Sequence, residues 1–357
     1  MRASDVIATL DLTPATGAEP FYLSVGPVGL TVLCPEPLRG MLVAYFDEAL
    51  SETPGPTVVN LLPGQALDPE PDWTEWSREP GKAGRKDAIV DLEDARLVRK
   101  LRSGVTFLQS PGALVALGPL TENVSTVINF INTQILTQCQ QEGWQLCHAA
   151  AVTDGTRTLA ISGLSGGGKS TSVLRMMDLD GIAFVSNDRL LVQAGRPARA
   201  LGIPKHPRIN PGTILGNPRL HGMLTSARRA ELDAMEAEVI WTLEDKHDLM
   251  IGAVYGPGRV RYEAPLTDFW VLNWSRAASD PTRVAEVDLS ARPDLLGAIM
   301  KSPGPFYQHP DGTFEPDGAR PDPAPYLAAL QGIRVSEVSG RIDFDALAEA
   351  GRGLFDG

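Results

Sequence analysis

The stretch Gly163-Leu-Ser-Gly-Gly-Gly-Lys169-Ser170-Thr171 constrains this chain more than any other. It reads G-x-x-x-x-G-K-S-T, the pattern of a loop that cradles phosphates. Arg157-Thr-Leu-Ala-Ile-Ser162 before it is short, apolar and β-prone. Thr171-Ser-Val-Leu-Arg-Met-Met-Asp178 after it carries apolar residues at helical spacing. Strand, glycine loop and helix together turn a string match into a structural expectation. Glycines at 163, 166, 167 and 168 allow backbone angles closed to other residues and a close approach to phosphate. Backbone N–H groups of the loop, Ser165 among them, and of the helix N-terminus then face negative charge. Lys169 adds a point charge for the β/γ-phosphates of a nucleotide. The hydroxyls of Ser170 and Thr171 are available to Mg²⁺ and to the α-phosphate, respectively.

The totals narrow the function classes. The 357 residues suffice for two modest domains or one large decorated α/β domain. Lys and Arg number 32 against 44 Asp and Glu, a net charge of −12, which argues against a nucleic-acid binder. Cys34, Cys139 and Cys147 are odd in number and form no C-x-x-C pair, so the expectation is buried, reduced thiols rather than a disulfide framework or a zinc site. Met1-Arg-Ala-Ser-Asp-Val-Ile lacks the pattern of a secretory signal, and no apolar run approaches 18 residues. The expected setting is cytoplasmic, without a membrane partner.

Along the chain, residues 1–120 read as a small α+β region. Strands are expected on both sides of Gly26-Pro-Val-Gly29, at Thr57–Leu62, near Lys86–Leu92, and as a hairpin across Ser110-Pro-Gly. A helix is expected from Pro35, and a long surface loop over 63–87. Apolar residues at 124, 127, 128, 131, 135 and 136 form a helical stripe that opens a second region, 121–357. There, Trp144–Val152 and Thr158–Ser162 read as a hairpin feeding the glycine loop. The strand Gly181–Ser186 ends in Asn187-Asp188-Arg189, and a carboxylate at that place suits a metal-orienting role. Ala200-Leu-Gly-Ile-Pro-Lys205-His-Pro-Arg208-Ile-Asn-Pro-Gly-Thr213 is too rich in proline and glycine for regular helix, and holds cations on a stiff backbone. A helix is expected from about Thr225 to Glu236 and a strand over Leu249–Tyr255. Pro293 opens a further helix, 302–323 is a Pro/Gly/Asp-rich loop, and two helices with a strand between them close the chain.

These residues together resemble the HPr kinase/phosphorylase fold group. His148 stands fifteen residues before Gly163, which is that family's spacing. The loop includes the family's internal Ser165-Gly166, and Asn187-Asp188 falls where an acidic pair belongs. The look is closer still to the subgroup called HprK-related kinase B, through Ser186–Leu191, Gly202–Thr213, Trp241–Lys246, Tyr255–Arg259 and Leu272–Trp274. The resemblance implies a P-loop kinase core of the HPr kinase/PEP carboxykinase type. The implied reaction is ATP-dependent phosphoryl transfer to a hydroxyl, on Ser or Thr of a protein or peptide. It further implies a gene neighbourhood with an ATP-grasp enzyme as candidate partner, and leaves a homo-oligomer open. Two departures stand out. Asn187 replaces an acid and cannot act as a base, and the family's glutamate-arginine signature is missing near Pro204-Lys205. Neither reversible phosphorylase activity nor HPr as substrate is therefore carried over.

The expected division of labour follows. Lys169 and the loop amides hold phosphate, Ser170 and Asp188 hold Mg²⁺, and His148 assists proton transfer or bonds the γ-phosphate. Lys205, Arg208 and Arg259 are candidates to stabilise the transferring group. A small hydroxyl compound such as an amino acid is the alternative acceptor, and a nucleotide-binding regulatory module with weak catalysis is the third reading.

Overall fold

The computed structural model describes residues 1–77, 84–163 and 167–356. The chain is mixed α/β with several sheets and divides into two compact units. One is Met1–Gly143 with Ser302–Pro321, the other Trp144–Lys301 with Asp322–Gly357. The boundary expected at 120/121 therefore moves, and the second region loses an internal segment. Among the described residues, no helix is long and apolar enough to cross a membrane. Among the described residues the three cysteines are buried thiols outside any disulfide.

The first unit is built on a nine-stranded sheet. From edge to edge its strands are Leu50–Ser51, Phe21–Val25, Val28–Leu33, Thr57–Pro63, Ala113–Gly118, Thr106–Ser110, Arg96–Lys100, Asp87–Asp91 and Thr74–Trp76. Val28, Leu30 and Val32 alternate into the core, as a half-buried strand requires. The preceding turn is tighter than expected, with Gly26 at φ 55° followed by Pro27. The apolar stripe of Val124–Gln141 does form a helix, but it packs here. Phe130 stacks on Phe107 at 4.5 Å between ring centroids, and Gln134 and Gln109 exchange amide hydrogen bonds of 2.9 and 3.1 Å. Residues 302–321 join the same unit through Arg96, whose guanidinium donates to the carbonyls of Pro305 (3.2 Å) and Glu315 (2.9 Å) and lies over Phe314. Arg96–Lys100 escaped the sequence reading because its charges interrupt the apolar pattern.

The second unit centres on a six-stranded sheet in the order Ala183–Ser186, Ala149–Thr153, Thr158–Gly163, Asp268–Leu272, Arg334–Ser339, Arg283–Glu286. The three central strands, Thr158–Gly163, Asp268–Leu272 and Arg334–Ser339, run parallel. Their side chains serve two cores. Ile161, Trp270 and Leu272 meet the helices Lys169–Met177 and Phe344–Asp356 through Val173, Leu174, Met177 and Leu347. On the opposite face, Ala160, Phe269 and Val271 meet Leu295, Leu296, Ile299 and Tyr326. A four-stranded sheet, in the order Gln145–Cys147, Leu190–Gln193, Ala198–Leu201, Glu263–Leu266, closes over that second core.

Three local expectations are corrected. Leu249–Tyr255 is not a strand: Ile251–Tyr255 is a short helix, buried through Ile251 and Tyr255 four residues apart and ended by Gly256 at φ 91°. The proline-rich stretch contains a short helix, Pro211–Leu215, because Pro211 falls in the first turn, where its missing N–H costs nothing. Trp144–Val152 is not one strand. It breaks at His148, and its halves belong to different sheets.

Candidate phosphate-binding site

The glycine loop leaves the end of a central parallel strand and enters the helix Lys169–Met177. Leu164, Ser165 and Gly166 lie outside the described residues. Of the glycines placed, two have a steric reason. A Cβ on Gly163 would stand 2.9 Å from Leu272 Cβ. One on Gly168, at φ 88°, would stand 2.8 Å from the Phe344 ring. The Trp274 indole N–H donates to the Gly167 carbonyl at 2.9 Å and packs edge-on against Phe344. The loop is thus braced from outside by two aromatic rings. Lys169 Nζ donates to the Gly163 carbonyl across the loop at 3.1 Å. Burial pulls its ammonium down to about 8, Lys301 adds to that, and Asp188 opposes it.

Ser170 Oγ donates to Asn187 Oδ1 at 2.9 Å, so Asn187 directly faces the helix start. The Thr171 hydroxyl pairs at 2.9 Å with that of Thr213, on the proline-rich segment.

His148 and Asp188 meet because the chain changes sheet at both places. Gln145–Cys147 and Leu190–Gln193 pair in the four-stranded sheet, while Ala149–Thr153 and Ala183–Ser186 pair in the six-stranded one. The residues between each pair of strands are left at the seam. His148 Nε2 is 3.1 Å from Asp188 Oδ1. Asp188 adopts φ 71°, the one positive φ outside glycine among the described residues. Asp tolerates this conformation better than most residues. Burial alone would raise its carboxyl, but the His148 hydrogen bond and the charges of Lys301, His148 and Arg189 hold it far below the ordinary carboxylate range.

Lys205 joins the group. Burial pulls its ammonium down to about 8, with Arg189, Lys301 and Arg208 adding to the effect and Asp188 opposing it. Lys301, which nothing in the sequence singled out, stands 3.8 Å from Asp188 Oδ2. Arg208 is half exposed and paired with Asp248 at 3.0 Å, so its charge is already partnered.

Arg259 is a correction. Its guanidinium donates to the carbonyls of Ile182 (2.6 Å), Met177 (2.7 Å) and Leu179 (3.4 Å). Met177 is the last residue of the loop helix, roughly 12 Å along its axis from the helix N-terminus. A guanidinium spent on carbonyls there is a helix C-cap, not a phosphate ligand. Arg259→Ala is therefore expected to cost about 2–3 kcal/mol of stability, read from the denaturant midpoint, with nucleotide affinity unchanged. A loss of affinity without loss of stability would contradict this assignment.

No protein-family model matches the chain, and no curated protein does. Among solved structures, the Hpr(Ser) kinase/phosphatase from Coxiella burnetii matches 60% of this chain and 99% of its own, at 13% identity and a TM-score of 0.29.

Proposed function

We propose that the second unit binds ATP through Gly163–Thr171 and transfers its γ-phosphoryl group to a hydroxyl acceptor. One observation carries this reading. In a chain of net charge −12, Lys169, Lys205, Lys301 and Arg189 all act electrostatically on one carboxylate, Asp188, or on one another, beside the N-terminus of the loop helix. Cations gathered beside the start of a helix favour a polyphosphate there.

The residues present also fit Mg²⁺. Ser170 Oγ, Asn187 Oδ1 and the Asp188 carboxylate are hard oxygen donors, and Ser170 and Asn187 are already in contact. Among the described residues there is no cluster of three or more His, Cys, Asp or Glu that could cage a metal. This site would instead offer one carboxylate and leave room for phosphate oxygens. When bound, Mg²⁺ supplies charge neutralisation at the β- and γ-phosphates.

In the proposed step, a lone pair of the acceptor hydroxyl oxygen attacks the γ-phosphorus. The bond from that phosphorus to the bridging oxygen breaks, and its electron pair leaves on ADP. The hydroxyl proton passes to the Asp188–His148 pair. His148 fixes the direction of the carboxylate, and Lys169 and the loop amides hold the phosphates that stay behind. Ser or Thr of a protein or peptide is the proposed acceptor. That choice, and an ATP-grasp enzyme as partner, rest on the family resemblance alone.

Incubation with γ-labelled ATP and Mg²⁺, with and without neighbouring gene products or free amino acids, tests the reading. Label moving to a protein supports the proposed acceptor, and label moving to a metabolite supports the small-molecule alternative. Nucleotide binding without any transfer sinks both and leaves the regulatory module. Asn187→Asp is expected to lower the Mg²⁺ concentration for half-maximal turnover, because it adds an anionic oxygen 2.9 Å from Ser170 Oγ. A titration of rate against Mg²⁺ checks it, and an unchanged midpoint would place position 187 outside the metal shell.

A further inference from the structure

We infer that Trp274 is a positioning residue of the phosphate loop. Its indole N–H holds the Gly167 carbonyl to one side and so turns the Gly168 amide toward the phosphates of a bound nucleotide. This deepens the phosphoryl-transfer reading and rests on it.

The sheet brings Trp274 to the loop. Gly163 and Leu272 are the last paired residues of two neighbouring parallel strands. After Gly163 the chain turns off into the glycine loop, whereas the neighbouring strand runs on to Trp274. Asn273 N–H donates to the Val338 carbonyl at 2.8 Å and Ser275 N–H to the Gly340 carbonyl at 2.9 Å, so the backbone is tied on both sides of Trp274. Trp270, Leu272 and Trp274 lie two residues apart and share one core with Val173 and Leu174 of the loop helix. Trp274 is only 9% exposed, and a buried indole N–H needs an acceptor. It takes the Gly167 carbonyl at 2.9 Å.

That carbonyl belongs to a peptide unit with glycine on both sides. Neither residue has a Cβ to restrict the plane of the peptide, so turning the unit over costs little. The indole supplies the constraint that side chains of the loop cannot. The cis peptide bonds among the described residues all precede proline, so this unit is trans, and a trans unit points its N–H opposite to its C=O. With the carbonyl held by Trp274, the Gly168 N–H points away from the indole. Gly168 is left-handed at φ 88°, ψ 15°, and Lys169 opens the right-handed helix. Such a change of hand between neighbours turns successive N–H groups to one side, in the concave arrangement that receives anions. Ser172 N–H, 2.8 Å from the Gly168 carbonyl, closes the first turn of the helix, and the amides of residues 168–171 precede it. The Gly168 amide is the first of these four and the one whose direction the glycines leave open. Turned over, the same unit would present its carbonyl oxygen to the phosphates and repel them.

The test measures ADP affinity with Mg²⁺ by calorimetry, and the melting temperature, on three chains: the unmodified protein, Trp274→Phe, and a chain with benzothienylalanine in place of Trp274. Benzothienylalanine keeps the outline of the indole and carries sulfur where the N–H stands. Its packing against Phe344 is retained, so the fold is expected to stand even where the smaller phenylalanine loosens it. Both replacements are expected to bind ADP about fivefold to tenfold more weakly, because the lost hydrogen bond lowers the fraction of molecules with the amide turned inward. Affinity lost with phenylalanine but kept with benzothienylalanine would assign the effect to packing and overturn the inference. Unchanged affinity in both would also overturn it, and in either case the transfer reading stands. No binding of ADP by the unmodified chain would take down that reading, and this inference with it.

Discussion

Lys169→Ala is expected to abolish nucleotide turnover, with a loss of at least about 10²-fold, while the protein stays folded. The two halves of this result have separate causes. In the folded chain Lys169 is a part-buried cation whose ammonium is pulled down to about 8 mainly by burial. Among the described residues its ammonium donates to the Gly163 carbonyl at 3.1 Å. Removing it gives up that bond but also removes the cost of burying a charge beside Lys301, so the melting temperature is expected to hold or rise. The nucleotide loses the point charge on its β/γ-phosphates, and nothing else on the helix start replaces it. Phosphate release measured alongside circular dichroism melting separates the two effects. Undiminished turnover in a folded variant would count against the whole phosphoryl-transfer scheme.

Asp188→Asn is expected to lower kcat about 10³-fold with KM for ATP unchanged. Asparagine is the informative replacement because it tolerates the φ of 71° at this position, where a β-branched residue would strain the backbone. It keeps the shape of the side chain and removes its charge. His148 and Lys301 then lose their shared anion. The asparagine Oδ1 can still ligate Mg²⁺, though more weakly than a carboxylate, and one negative charge has been taken away from the neighbourhood of the phosphates, so the two effects on ground-state ATP binding offset each other. The proton of the acceptor hydroxyl, however, has no carboxylate to receive it. A steady-state series in ATP at saturating acceptor reads both constants. A variant with unchanged kcat would remove Asp188 from the chemistry and leave it a charge-balancing role only.

What could be read from the sequence was local. The glycine loop was legible because each of its features, glycine at a left-handed position, lysine at the helix start, hydroxyls after it, is fixed by its immediate neighbours in the chain. Much of the strand pattern was legible for the same reason. The stripe of Val124–Gln141 announced a helix, but an apolar face says only that something covers it. Phe107 and Gln109, from a strand already passed, decided which unit claims it. Arg259 was misread because an isolated arginine after a glycine turn looks the same whether it reaches for phosphate or for the carbonyls of Met177 and Ile182. Lys301 was invisible. It lies in an unremarkable run after a helix, and only the pairing of Cys147 with Met300 and the Tyr326 hydroxyl bring it to Asp188. The break at His148 was also hidden, since Trp144–Val152 carries an uninterrupted strand-like composition.

The way the second unit is threaded bears on how it can be handled. It is not a contiguous stretch of chain, because Ser302–Pro321 leaves it and belongs to the first unit. A fragment cut at Trp144 would keep that excursion while losing Arg96, which binds its carbonyls. The result would be a dangling insert attached directly to Lys301. The chain on the two sides of the excursion is tied together, however, since the Tyr326 hydroxyl sits 3.2 Å from the Lys301 carbonyl. A minimal version of this unit is therefore better made by deletion than by truncation, replacing 302–321 with a short flexible bridge.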